Sequence, residues 1–226
     1  MWDKGWEEMF SKRNWGKYPA EELIVFTMRN FKNVKDRSAL ELLEVGCGPG
    51  ANIWYLAREG FNVKGIDGSK TAIEQCRARL ESEGLSAELS VGDILKLPYE
   101  DDSFDAVYDN ECIYCNSWAD SKRILKEINR VLKPGGKLYS KHFATGTYGD
   151  GNGETLSVVK ERNTYLKIHE GALKSTYGII RFLPAEDIQE LFQDFRVDYV
   201  EYIIKSISNS SHEVKEWIIG CSKFQL

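Results

Sequence analysis

The segment from Ala39 to Gly50 constrains the fold more than any other stretch of this chain. Ala39 to Val45 is apolar apart from Glu41 and Glu44, and it runs straight into Gly46-Cys47-Gly48-Pro49-Gly50. That is a strand entering a glycine turn. Ile53, Trp54, Leu56 and Ala57 then mark a short helix that Gly60 closes. The same alternation continues downstream. Phe61 to Asp67 is a second strand, and Ser69 is an N-cap for a helix to about Ser82, with Ala72, Ile73, Cys76 and Leu80 facing inward. Ala87 to Gly92 and Phe104 to Asp109 read as strands three and four. Asp120 to Leu132 is a helix whose Ile124, Leu125, Ile128, Val131 and Leu132 share one face. Lys133-Pro134-Gly135-Gly136 stops it, and Lys137 to Phe143 is strand five. Upstream, Leu23, Ile24, Phe26, Thr27 and Phe31 form a helical stripe over residues 20–32. Strands alternating with helices build a parallel sheet with crossovers. Ligands of such sheets bind beyond the strand carboxyl ends, so the chemistry is expected just after residues 46, 67, 92, 109 and 143.

The pattern changes after strand five. Ala144 to Arg181 is rich in Gly, Thr and Tyr and shows no clear period. Pro184 opens another helix, and Arg196–Ser206 and Glu213–Phe224 form a hairpin around Ser208-Asn209-Ser210-Ser211. No repeat or linker divides the 226 residues, so a single domain is expected across 1–226, with residues 1–37 as an N-terminal lid and 144–182 as a cap. Thirty basic against 35 acidic residues, net charge −5, disfavour a nucleic-acid partner, which needs a cationic face. No apolar run approaches the ~20 residues that cross a bilayer, so no membrane partner is expected. Met1-Trp2-Asp3-Lys4-Gly5-Trp6-Glu7-Glu8 does not read as a signal peptide, and five irregularly spaced cysteines suit a reducing compartment. A cytoplasmic location is expected.

Gly46-x-Gly48-x-x-Ala51 satisfies the dinucleotide fingerprint, with Asp67 at the spacing of a ribose-binding carboxylate. The glycines admit a ligand close to the backbone, and the helix start offers free N–H donors. The surrounding residues narrow the choice. Leu43-Glu44-Val45-Gly46-Cys47-Gly48-Pro49-Gly50, Gly65-Ile66-Asp67-Gly68-Ser69, Gly92-Asp93-Ile94, Leu97-Pro98-Tyr99 before Ser103-Phe104-Asp105-Ala106-Val107, and Arg130-Val131-Leu132-Lys133-Pro134-Gly135-Gly136-Lys137-Leu138 follow in order. Over about residues 38–143 this series resembles the class I S-adenosylmethionine-dependent methyltransferases of the small-molecule type. The resemblance implies a doubly wound α/β fold with a seven-stranded, mostly parallel sheet in the order 3-2-1-4-5-7-6 and an antiparallel terminal hairpin. It implies S-adenosyl-L-methionine as cofactor, S-adenosyl-L-homocysteine as product, and no metal. It places Gly46, Cys47 and Gly48 beneath the methionine part and Glu44 at the turn or the amino group. Asp67 goes to the ribose with Gly68 and Ser69 beside it, Asp93 and Ile94 to the adenine, and Asn110 or its backbone to the methionine amine. Trp15 or Tyr18 would fold over the donor.

Bland readings stand beside these. Glu44 also suits a satisfied buried carboxylate, Asp93 a helix N-cap, Ile94 core, and Trp15 and Tyr18 an aromatic staple. Trp2 and Trp6 suit a partner subunit or the acceptor. Methyl transfer is an in-line displacement, served by positioning and water exclusion. A hydroxyl acceptor needs a general base, whereas an amine must only be neutral when it attacks. His142, at the end of strand five, is the leading base candidate and equally a packed strand histidine. Glu111 is a rival base or an amine-binding group. Cys112-Ile113-Tyr114-Cys115 lacks a second pair for zinc and reads as a loop lining the acceptor pocket. His212 falls in the hairpin turn, far from the strand ends, and reads as solvated. Beside Tyr114, the cap would supply Tyr148, Tyr165, His169, Tyr177 and Arg181, with Arg181 binding an anionic group or pairing at the surface. The expected function is methyl transfer to an oxygen or nitrogen of a small metabolite, such as a modified sugar or other secondary metabolite, by a monomer or homodimer. Peptide methylation and non-catalytic cofactor binding are the alternatives.

Overall fold

The computed structural model describes residues 4–12, 15–155, 161, 163–174 and 178–225. Trp2 and Tyr177 lie outside the described residues. Two helices, α1 (Gly5–Lys12) and α2 (Glu21–Phe31), precede the sheet. Then follow β1 (Glu41–Val45), α3 (Ala51–Arg58), β2 (Asn62–Asp67), α4 (Lys70–Glu81), β3 (Glu88–Val91), β4 (Phe104–Asn110), α5 (Trp118–Val131) and β5 (Leu132–Phe143). The cap contains β6 (Gly153–Thr155), β7 (Thr164–Ile168) and β8 (Ile180–Arg181). A short α6 (Ile188–Leu191) leads to β9 (Arg196–Ile207) and β10 (His212–Ser222). The main sheet runs β3-β2-β1-β4-β5-β10-β9, parallel up to β5 and antiparallel in the last two strands, as the order 3-2-1-4-5-7-6 requires.

Side-chain alternation explains the two layers. Leu43, Val45, Val107 and Leu138 face the core shared with α5 and α6. Leu42, Ala106, Tyr108 and Tyr139 face the opposite core, covered by α2, α3 and α4. Phe26 of α2 fills that second layer, with ring centroids 5.5 Å from Tyr108 and 5.4 Å from Tyr139. Deleting such a side chain costs about 3–5 kcal/mol, so this contact fixes α2 against β4 and β5. Ser69 caps α4 by accepting from the Ala72 N–H at 3.0 Å.

Three features depart from the sequence expectation. β5 begins at Leu132 rather than Lys137, and the register slips between Phe104 and Ala106 to absorb the Pro-Gly-Gly segment. The aperiodic insert holds an antiparallel sheet in the order β6-β7-β8. Its strands are two to five residues long, too short for alternation to register. The third concerns the hairpin. Because β10 is antiparallel to β5, pairing Glu216 with Phe143 and Trp217 with His142, its first half lies at the carboxyl end of the parallel strands. The hairpin turn therefore belongs to the ligand-binding end of the sheet. No helix among the described residues is long and apolar enough to cross a membrane.

Candidate active site

Gly46, Gly48 and Gly50 all occupy the left-handed region, with φ of 64°, 51° and 77°. Space excludes side chains at two of them as well. A Cβ on Gly46 would lie 2.2 Å from the Cys112 sulphur, and one on Gly50 would lie 2.1 Å from the Cys76 sulphur. The Gly46 and Cys47 N–H groups both donate to the Ile66 carbonyl, at 2.8 and 3.2 Å, which ties the turn to β2. Cys47 itself is buried beneath it.

Two buried carboxylates flank the turn. Asp67 Oδ2 accepts from the Gly48 N–H at 2.9 Å and Oδ1 from the Ser69 N–H at 2.8 Å. Burial pushes its carboxyl above the ordinary aspartate range, against the pull of those two bonds. Gly68 lies between them, half-buried. On the other side, Glu44 Oε1 accepts from Asn52 Nδ2 at 2.6 Å, and Asn52 Oδ1 accepts from the Ala20 N–H at 3.2 Å. This links the turn to the start of α2. Glu44 Oε2 is buried with no hydrogen-bond partner among the described residues. Burial, reinforced by Asp67 and Asp109, raises Glu44 to about 8. A buried carboxyl with one oxygen unsatisfied is the arrangement a donor ligand completes. The chain's groups thus fit a polar nucleoside cofactor with an amino group: a side-chain-free floor, a ribose-sized acidic partner and an unpaired acceptor.

The remaining expected cofactor positions follow β3 and β4. Asp93 is exposed after β3, its Oδ1 accepting from the Leu95 N–H at 3.0 Å in a turn rather than a helix N-cap. Ile94 is half-buried against the α5 core. Asn110 ends β4 with its Oδ1 buried and without a hydrogen-bond partner among the described residues. Asp109, which the sequence motifs do not single out, organises the loop after β4. Its Oδ1 accepts from the Cys112 and Ile113 N–H groups at 3.0 and 2.9 Å, building the turn that presses Cys112 on Gly46. Burial raises Asp109 to about 6.

The N-terminal segment closes over the turn through a residue that no sequence motif marks. Phe10 of α1 is buried, and its ring lies 3.5 Å from where a Gly48 Cβ would project. Glu7 fastens α1 to the start of α4 by accepting from Ser69 Oγ at 2.6 Å and from Thr71 Oγ1. Trp15 packs edge-on against Phe10 at 5.3 Å, and Trp6 packs on Phe10 at 6.0 Å. Tyr18, the other residue expected over the donor, lies at the surface. It is 76% exposed, because its turn is held toward the far end of α4 by Lys17–Glu83 and by Arg79 donating to the Gly16 carbonyl.

The two base candidates fall on opposite faces of β5. His142 is fully buried against Phe192, with Nε2 2.8 Å from Ser140 Oγ and 3.6 Å from Asp109 Oδ2. Burial and the Arg181 charge lower it to about 3, so it is neutral. Glu111 instead lies at the opposite face, its Oε1 3.1 Å from Lys141 Nζ, with a left-handed φ of 61°.

The cap residues scatter. Tyr114 is buried edge-on to Phe143 at 5.1 Å, in a cluster with Tyr165, Ile168, Ile180 and Phe182. Arg181 is fully buried rather than at the surface. It donates to the Asn116 carbonyl at 2.8 Å and lies over the Trp118 ring, and burial lowers it to about 10. His169 is exposed at the end of β7, away from the strand ends, because the cap's own small sheet carries it outward. Tyr148 stacks on His212 at 3.6 Å with rings 4° from parallel, so it closes the hairpin rather than a ligand pocket. His212 is accordingly half-buried, contrary to the solvated reading, because antiparallel pairing returns it to the cap. Among the described residues no group of three or more His, Cys, Asp or Glu is placed to hold a metal.

Comparison with known proteins agrees with this geometry. Residues 43–140 match the family described as "Methyltransferase domain". Methyltransferase GfsG of Streptomyces halstedii is 41% identical over 101 residues, 43% of this chain and 36% of that protein. Norajmaline N-methyltransferase of Rauvolfia serpentina is 29% identical over 187 residues, 77% of this chain and 63% of that protein. The chain thus spans less than two-thirds of the length of either relative. A solved S-adenosylmethionine-dependent methyltransferase of Methanosarcina mazei superposes with a TM-score of 0.70 at 24% identity, covering 88% of this chain and 98% of that one.

Proposed function

We propose that the chain is a class I S-adenosylmethionine-dependent methyltransferase and that it transfers a methyl group to an oxygen or nitrogen of a small metabolite; the match of residues 43–140 to a methyltransferase domain supports the first part. The observation that carries the reading is the paired carboxylates. Asp67 and the half-satisfied Glu44 flank a turn that cannot carry side chains at Gly46 and Gly50. Asp67 would accept from the ribose hydroxyls, Glu44 Oε2 from the amino group directly or through water, and Asp93 from the adenine amine with Ile94 against the ring. Asn110 would approach the methionine amine. When bound, S-adenosylmethionine supplies a methyl made electrophilic by its sulfonium. The chain's own contribution is positioning and dryness. Phe10 roofs Gly48, Glu7 latches α1 onto α4, and Tyr114 with Phe143 provides an apolar wall beyond β4 and β5. The relative named for N-methylation of norajmaline supports a small-molecule acceptor.

Calorimetry tests the reading. S-adenosylhomocysteine is expected to bind and NAD not to bind. Labelled-methyl transfer into small-molecule fractions, with none into peptide fractions, is expected as well. Absence of S-adenosylhomocysteine binding refutes the proposal.

A further inference from the structure

The face of β5 opposite His142 carries a charge cluster that the cofactor contacts do not use. Lys141 is 7% exposed, and its Nζ lies 3.1 Å from Glu111, 3.2 Å from Glu216 and 3.5 Å from Glu22. Four separate elements meet there: α2, the end of β4, β5 and β10. Burial opposes the lysine charge, but the three carboxylates outweigh it and hold the pKa above the ordinary lysine value. One ammonium balances one carboxylate. Two negative charges remain, on side chains with exposures of 13–32%. Excess charge of that kind is costly where solvent is thin.

A second observation points the same way. Tyr139 shares the Lys141 face of β5, two residues away, and is fully buried, yet its hydroxyl has no hydrogen-bond partner among the described residues. Glu22, Glu111 and Glu216 all act on that hydroxyl electrostatically, so it sits in the field of the same carboxylates. A polar ligand group carrying N–H donors satisfies a phenolic oxygen and surplus carboxylate together. The cluster also borders the candidate cofactor turn, since Glu111 adjoins Cys112, whose sulphur packs on Gly46.

We propose that Glu111, Glu216, Glu22 and Tyr139 form an acceptor subsite for a protonated amine, lying alongside the Lys141 ammonium. This rests on the methyltransferase reading and names its substrate class: a small metabolite that bears a basic amine. An amine held by carboxylates stays protonated, and its lone pair is then unavailable. The ammonium is therefore the anchoring group, and the methylated atom is another oxygen or nitrogen of the same molecule.

Calorimetry on the full chain saturated with S-adenosylhomocysteine separates the two levels of inference. The probes are cyclohexylamine, cyclohexanol and cyclohexanecarboxylate at neutral pH. Cyclohexylamine, as the ammonium, is expected to bind in the millimolar range of a fragment, and its two neutral or anionic analogues are not. Glu216→Gln is expected to weaken ammonium binding about tenfold, the value of one charge-assisted hydrogen bond. Glu22→Gln, on the half-buried face of α2, is expected to weaken it in the same direction. S-adenosylhomocysteine affinity is expected to stay unchanged in both variants. Equal binding of the three probes, no binding of the ammonium, or indifference to both substitutions overturns the subsite. Failure of S-adenosylhomocysteine to bind at the outset overturns the methyltransferase reading instead.

Discussion

Replacing Glu44 by Gln tests the buried carboxyl directly. In the folded chain Glu44 is raised from 4.5 to about 8, chiefly by burial, so near neutrality it is protonated while the unfolded chain's glutamate is ionised. Between those values the native state binds the extra proton. Its contribution to stability is therefore full below 4.5 and is lost as pH rises toward 8. Other groups crowd the acid side. Asp109 moves from 3.8 to about 6, and His142 from 6.5 down to about 3. The window from about pH 6.5 to 8 is the one in which Glu44 dominates. Integrating a single site with a native pKa near 8 over that window gives a loss of about 1.5–2 kcal/mol. Glutamine copies the protonated carboxyl in shape and keeps the bond from Asn52. Glu44→Gln is then expected to gain about 1.5–2 kcal/mol on the parent between pH 6.5 and pH 8, because only the parent carries this titration. Urea denaturation monitored by circular dichroism at several pH values reads this out. Parallel pH profiles for parent and variant would falsify the assignment of a buried, proton-holding Glu44.

Three further outcomes are expected. Asp67→Ala is expected to weaken S-adenosylhomocysteine binding about a hundredfold, because a buried multi-bond carboxylate is removed, and an unchanged isotherm refutes the ribose assignment. Gly50→Ala is expected to lower stability by about 2–4 kcal/mol from left-handed strain plus collision with Cys76, and Gly50→Ala with Cys76→Ala is expected to recover part of it. Thermal melts that show no loss, or no recovery, contradict the packing argument. His142→Ala is expected to cost about 2–4 kcal/mol in urea unfolding, as a buried side chain packed on Phe192 and bonded to Ser140, while labelled-methyl turnover of the folded fraction persists. Abolished turnover in fully folded variant restores His142 as the base.

Much of this protein is dictated by local sequence. The glycine turn, the Ser69 cap and the α5 stripe are set by residue conformational preference and by 2.0- and 3.6-residue periodicity, which neighbours in the chain alone express. Ordered motifs carried the sheet order and the Glu44–Asp67 pair. What failed was the placement of individual side chains by contacts distant in sequence. Phe10 roofs Gly48 from a separate helix far upstream in the chain, a contact that an aromatic run near the N-terminus announces but does not direct. Tyr18 and His169 carry the right chemistry for a site, yet local turns and a small separate sheet turn them outward.

The cluster around Lys141 shows the division most sharply. Of its glutamates the sequence marks only Glu111; Glu22 and Glu216 sit unremarked on a helix face and in a hairpin arm. Glu216 reaches the site only because β10 runs antiparallel to β5, which returns its first half to the carboxyl end of the sheet. Periodicity tells a residue which face of its own element it occupies. Strand direction and pairing decide which end of the molecule that face meets, and those depend on long-range burial that no short window of sequence contains.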